Sequence, residues 1–185
     1  MSSLPENEAI KGYRTRPSTR YTPNERVLWF PGTVVSQTLQ FLSSYRKLEA
    51  ACFWYGTRNG SESLVKAVVV PQQVNRWGNY QISAESVSAM SMATRALGLV
   101  CLAQIHSHPG VNVEHSCYDD DHVSSHKVVS IVFPKYGRWM GPWPIGLGIH
   151  EFQGDYWHLL SEADAAKRVR ERLASEESSL VDLRL

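Results

Sequence analysis

The sequence predicts a single domain of the α/β (α+β) class, a mixed β-sheet flanked by helices. Three observations carry this. Short apolar and β-branched runs alternate with stretches of helical period. Two of the runs are joined by the turn-like TRNGSE and read as a hairpin, whereas others are separated by segments long enough to cross over as helices. The 185 residues, 43% of them apolar, suffice for one sizeable core.

Taken in order, residues 1–25 are polar, with prolines and arginines, and read as a tail or a strap over the domain. Val27-Leu28-Trp29-Phe30 is a short strand ended by Pro31-Gly32. From Thr33 to about Tyr45, Val35, Leu39 and Leu42 recur at helical spacing. EAACFWYG, Glu49 to Gly56, and SLVKAVVV, Ser63 to Val70, form the hairpin. An irregular PQQVNRWGNYQI follows. A helix spans about Ala84 to Leu97, with Ser83 as N-cap and Gly98 as its stop. LVCLAQI, Leu99 to Ile105, and Val128 to Phe133 are buried strands. Ile145 to Phe152 and Tyr156 to Leu160 flank a turn at Gln153-Gly154-Asp155, and a closing helix runs from Ser161 to about Ser175. The domain proper is thus expected at 26–160, with a C-terminal helix and tail at 161–185.

Composition narrows the function. A formal net charge of +1 argues against nucleic acid or an anionic membrane as the main partner, since both demand a concentrated basic face. No apolar run is long enough to span a bilayer, and the first residues lack the apolar core of a secretory signal. Cys52, Cys101 and Cys117 are widely spaced and read as reduced thiols, which points to the cytoplasm.

The chemistry concentrates in HSHPGVNVEHSCYD, residues 106–119. If the strand before it continues, His106 and His108 point to one face, a natural pair of zinc ligands, while Ser107 faces the other way into packing. Pro109 then turns the chain. A third ligand that leaves one position open for water can come from the acidic group Asp119-Asp120-Asp121. Ser116 lies three residues before Asp119, so on one helical turn it shares that face, placed to donate to a developing oxyanion. A histidine pair alone is a weak signal; the proline, serine and aspartate at fixed offsets make it specific.

HSHP, six residues, then Ser116-Cys117-Tyr118-Asp119 resembles the signature of the JAB/MPN (JAMM) zinc metalloproteases, which include deubiquitinating isopeptidases. The likeness extends over roughly residues 27–150, through EAACFWYG, Pro71-Gln72, the helix near 84–97 and LVCLAQIHSHP. Many members carry glycine three residues after their catalytic glutamate, where this chain has Cys52. The resemblance implies one zinc ion per chain held by His106, His108 and Asp119, with Glu49 as general base and acid and Ser116 as oxyanion donor. It implies hydrolysis after the C-terminal glycine of a ubiquitin-like protein, or of its conjugates, by a chain similar to prokaryotic JAB proteins. Some of those are encoded with E1-like and E2-like companions in antiphage defence operons. A non-catalytic MPN-type scaffold and a hydrolase of a sulfur-carrier protein are the alternatives; the intact ligand set argues against the first.

Neighbouring residues compete for these roles. Glu114 is a rival base and Asp120 a rival ligand. His115, His122 and His126 read as exposed or supporting groups, and Cys117 as a buried thiol, because no independent base accompanies it. Trp77, Tyr80, Trp139 and Trp143 lie in irregular stretches and suit either an extended peptide or the core. The substrate-binding residues are not legible.

Overall fold

The computed structural model describes residues 12–123, 125–172 and 178–184. Among them the chain forms one mixed α+β domain built on a single sheet. Strand β1 (Val27–Pro31) leads into α1 (Gly32–Ser44). The hairpin follows as β2 (Ala51–Asn59) and β3 (Glu62–Val70). Its turn is tighter than the sequence suggests. Asn59 pairs with Glu62, leaving only Gly60 and Ser61 as the loop, with Gly60 at φ +57°. Thr57-Arg58-Asn59 therefore belong to the strand, and the register shifts between Tyr55 and Gly56, where Lys66 is the extra residue on β3.

The irregular stretch after Val70 contains a small two-stranded ribbon, β4 (Val74–Asn75) and β5 (Tyr80–Gln81). The next helix, α2 (Ala84–Arg95), starts as expected, with the Ser83 hydroxyl accepting from Ser86 N–H. Gly98 ends the segment at φ +65°. Strand β6 (Val100–Ser107) runs straight through His106, and the short helix α3 (Cys117–His122) follows. The remaining elements are β7 (Val129–Phe133), β8 (Gly148–Gln153), β9 (Tyr156–Leu159) and α4 (Glu162–Arg168).

The C-terminal segment departs from expectation. The helix capped by Ser161 stops at Arg168, and Val169–Arg172 form β10, parallel to β1. Val169 is fully buried there, opposite Leu28. The open edge of β1 captures a segment that the sequence alone would continue as helix, so tertiary pairing overrides local propensity. Residues 173–177 lie outside the described residues. Beyond them β11 (Ser179–Asp182) pairs with β3. The described part of this segment is thus one short helix followed by two strands of the sheet.

The strand order is β10-β1-β3-β2-β6-β7-β8-β9, with β11 also on β3. Period-two alternation sorts the side chains. Cys52, Trp54, Val68, Val70 and Ile105 face α1 and α4 in the larger core, where Trp54 Nε1 donates to Thr38 Oγ1 at 2.9 Å. Phe53, Tyr55, Ala67 and Val69 face the opposite way and pack on Met90 of α2. Of the expected N-terminal tail, residues 1–11 lie outside the described residues. The rest lies over the domain as a strap: Gly12 O accepts from Cys117 N–H, the Tyr21 hydroxyl bonds to the Glu151 carboxylate, and Thr22 exchanges two hydrogen bonds with Gln153. No helix among the described residues is long and apolar enough to cross a membrane.

Candidate metal centre

The β2–β6 register builds the site. Ala51 pairs with His106, and the antiparallel path continues as Ala50 N–H and C=O meet Ser107 Oγ and N–H at 3.3 and 3.1 Å. One step further along this path Glu49 comes level with His108. Period two then places Glu49, His106 and His108 on one face. Ser107 points to the other face, fully buried, as the alternation requires. Parallel pairing with β7 holds the other side of β6, and His108 N–H donates to Phe133 O at 2.9 Å.

The third group comes from α3. Ser116 is its N-cap, and a reciprocal capping box closes the first turn: Ser116 Oγ accepts from Asp119 N–H, and Asp119 Oδ2 accepts from Ser116 N–H. The Ser116 hydroxyl also donates to Asp119 Oδ2 at 2.7 Å. This aims the carboxylate at the histidines. Asp119 Oδ1 lies 3.3 Å from His106 Nε2, Asp119 Oδ2 lies 3.4 Å from His108 Nε2, and the two Nε2 atoms are 3.1 Å apart. Four ligands about 2.0–2.1 Å from a tetrahedral zinc stand about 3.3–3.4 Å from one another. The two imidazole nitrogens approach that spacing, the carboxylate meets each of them with a different oxygen, and one ligand atom from each of the three residues lies within 4.8 Å of the others, so the group and its chemistry of two imidazoles and one carboxylate suit such an ion. His106, His108 and Asp119 form a group able to hold a metal ion.

Electrostatics follow from burial. Burial opposes ionisation of Asp119, but His106 and His108 outweigh it and hold its pKa well below the ordinary carboxylate range. Burial lowers His106, against the pull of Asp119. For His108 burial also acts downward, yet Asp119 and Glu49 together raise it. Glu49 is only 4% exposed. Burial, partly offset by His108 and reinforced by Asp119, raises its pKa to about 8.

Two side chains that the sequence reading passed over hold Glu49 in place. Gln73 pairs with Ala51 as an extra strand would, accepting from its N–H at 2.9 Å and donating to its carbonyl at 2.8 Å. Asn75 Nδ2 donates to Glu49 O at 2.7 Å, and Glu49 N–H donates to Arg76 O at 2.8 Å. The amides at 72, 73 and 75 were visible in sequence, but nothing local distinguishes which of them reaches the strand.

The rival residues take other places. Asp120 turns to His115 Nδ1 at 3.0 Å and to Arg14 Nε at 3.3 Å, outside the metal group. His115 is buried beside His106, with ring centroids 5.7 Å apart, and its Nε2 meets Ser130 Oγ at 2.8 Å. Glu114 is exposed. His122 stacks on Tyr118 and His126 on Phe152. Cys117 is half-buried beside the strap. Tyr80 packs against His106, and Trp143 packs edge-on against Phe30 in the core. Trp77 is different. It is 64% exposed at the tip of the β4–β5 ribbon, where its carbonyl accepts from the Tyr136 hydroxyl.

No family model matches the sequence, and no curated protein does either. Solved structures do share the fold. A protein from Desulfitobacterium hafniense superposes with a TM-score of 0.59 at 15% identity, over 82% of this chain and 95% of that one. A protein from Salinibacter ruber superposes with a TM-score of 0.53 at 16% identity, over 71% of this chain and 88% of that one. At such identities the likeness speaks for the fold alone.

Proposed function

We propose that the protein is a zinc-dependent isopeptidase or peptidase of the JAB/MPN kind, hydrolysing the bond after the C-terminal glycine of a ubiquitin-like protein. One observation carries the reading. The β2–β6 register sets a buried carboxylate, Glu49, level with His108 on the face where His106, His108 and Asp119 converge. That is a three-ligand set with an acid–base group beside it, the composition of a hydrolytic site rather than of a closed structural one.

When bound, zinc supplies a Lewis acid and lowers the pKa of a coordinated water towards about 7. The chain itself supplies proton handling and orientation. Glu49 Oε accepts the proton of the attacking water and passes one to the leaving amine. With its pKa raised to about 8, mainly by burial, it both holds and releases a proton near neutrality. A cation on the three ligands would bring that value down and favour the base form. Ser116 holds Asp119 in this structure, so its service as an oxyanion donor requires the hydroxyl to leave that carboxylate. In this reading the exposed Trp77, on the ribbon that anchors Glu49, would press against an extended glycine-ended tail.

The test uses the zinc-loaded chain with ubiquitin-like proteins fused at their C-terminal glycine to a reporter. The expected result is release of the reporter by the wild type. Glu49→Gln is expected to keep one zinc per chain and to lose at least about a hundredfold in rate. Stoichiometric zinc without cleavage of any fusion would overturn the isopeptidase reading.

A further inference from the structure

The two histidines of the metal group are held differently. His106 lies within β6, buried, with the rings of Tyr80 and His115 packed near its own. His108 lies just past the end of β6, where neither strand nor core encloses its ring to the same degree. One bond orients that ring: His108 Nδ1 stands 3.0 Å from Asn112 O. A carbonyl only accepts, so Nδ1 carries the proton, and Nε2 keeps its lone pair for the metal group. Asn112 is thus the mount of a metal ligand. Its amide is tied at both ends. Oδ1 accepts from Glu114 N–H at 3.0 Å, and Nδ2 donates to the Tyr13 hydroxyl at 2.5 Å. Tyr13 belongs to the N-terminal strap, 99 residues away along the chain.

The strap residues on either side of Tyr13 take hold of α3. Arg14 Nη2 meets Asp121 Oδ1 at 2.8 Å, and Arg14 Nε meets Asp120 Oδ2 at 3.3 Å. The first pair is exposed on both sides and contributes little by itself. The second is different. The Asp120 side chain is 5% exposed, and its other oxygen meets His115 Nδ1 at 3.0 Å. A carboxylate so enclosed is costly without a cation beside it. Gly12 O accepts from Cys117 N–H at 3.0 Å, one of the N–H groups that the start of a helix leaves without an internal partner. Three successive strap residues thereby hold the loop at 112 and the first turn of α3, on either side of the chain between His108 and Asp119.

We infer that Gly12, Tyr13 and Arg14 form a clasp that positions the metal ligands: Tyr13 sets the His108 ring through Asn112, while Gly12 and Arg14 set the turn of α3 that carries Asp119. The inference rests on the metal reading of His106, His108 and Asp119. Tyr13 and Arg14 are positioning residues, since each acts on a ligand only through another group. Further along, the strap has a separate anchorage, Tyr21 on Glu151 and Thr22 on Gln153. An opened clasp would therefore leave the strap attached and the sheet intact, and would lower the affinity for metal alone. The N-terminal segment thus sets how tightly a site about a hundred residues away holds its ion.

The experiment measures zinc affinity of the full chain by competition with a chelating dye, beside the melting point of the zinc-free protein. The double variant Tyr13→Phe, Arg14→Gln is expected to bind zinc about tenfold more weakly, the low end for groups that orient ligands. Its zinc-free melting point is expected to move by no more than about 4 °C, because the contacts removed are largely exposed. Arg14→Lys keeps a cation beside Asp120 and is expected to recover most of the affinity that Arg14→Gln loses. Gln153→Ala loosens the separate anchorage and is expected to leave zinc affinity unchanged. In zinc-loaded Tyr13→Phe the His108 ring N–H, followed by NMR, is expected to exchange faster with water. A wild type that takes up no zinc overturns the metal reading and the clasp with it. A wild type that binds zinc, matched by the double variant in affinity, overturns the clasp alone. So does an equal loss in Gln153→Ala, or a loss accompanied by a larger fall in zinc-free stability, since either would make the strap a general support.

Discussion

At position 49 the chain puts a carboxyl where burial opposes its ionisation, which has a measurable consequence in the absence of metal. Its pKa is raised to about 8, chiefly by burial, against an ordinary value of 4.5. Unfolding lets the group ionise from about pH 4.5 upward, while the folded protein retains the proton until about pH 8. The carboxyl therefore costs nothing below pH 4.5, and the folded state loses stability as pH rises through this window. Glu49→Gln removes the cost. In chelator-treated protein the variant is expected to melt above the wild type at pH 8, by at least about 1 kcal/mol, with the gap closing towards pH 4.5. Equal melting points at pH 8 would mean that the carboxyl is not buried as described. Ser116 gives a second residue-scale prediction. Ser116→Ala removes both the N-cap and the donor that steers Asp119. Stability is expected to fall by about 1 kcal/mol. Zinc affinity, read by competition with a chelating dye, is expected to fall about 10–100-fold. Unchanged affinity with lost activity would instead place the hydroxyl on the substrate.

Among the elements, the loop between β6 and α3 is held by contact with β8. A Cβ built at Gly148 would fall far inside van der Waals contact of the Val113 carbonyl, and 2.9 Å from His150 Cε1. Backbone cannot yield as a flexible side chain does, so Gly148→Ala is expected to cost about 1–3 kcal/mol and to loosen metal binding by shifting the loop; denaturant titration with and without zinc measures both. This contact shows where sequence reading stops. β6 was legible because LVCLAQI is apolar except for Gln104, and α2 because Ser83 and Gly98 bracket it chemically. The apposition of Gly148 and Val113 is set by tertiary approach and leaves no local trace. The same holds for β10: after a properly capped helix, VRER reads as more helix, and only the free edge of β1 makes it a strand. The metal triad was legible since its residues lie within one short stretch whose spacing obeys strand and helix periods. The clamps on Glu49, and the burial of His115 against His150, depend on partners far along the chain.

On the scale of the molecule, a metal bound at the His106, His108 and Asp119 group would be linked to folding. His106 lies in β6, His108 just past its end and Asp119 in α3, and the unfolded chain holds no comparable arrangement, so zinc bound there should stabilise the folded state by mass action. Free zinc at about a hundred times its dissociation constant is expected to add about 2.7 kcal/mol, or roughly 5–10 °C in melting temperature for a chain of this size. Asp119→Asn is expected to lose most of that gain in a thermal melt. A wild type whose melting point does not respond to zinc would argue against the ligand set.

The outer side of β3 is covered by two strands from distant parts of the chain: β1 along its first residues and β11 along its last. β1 in turn is flanked by β10. During synthesis, all residues of the metal group emerge before residue 169, so the ribosome delivers the chemistry before it delivers the cover. Until the last strands arrive, β1 and the distal half of β3 present bare hydrogen-bonding edges, a template for pairing with another nascent chain. Chains interrupted after α4 should therefore be recovered as aggregates, although every residue of the metal group has already been made.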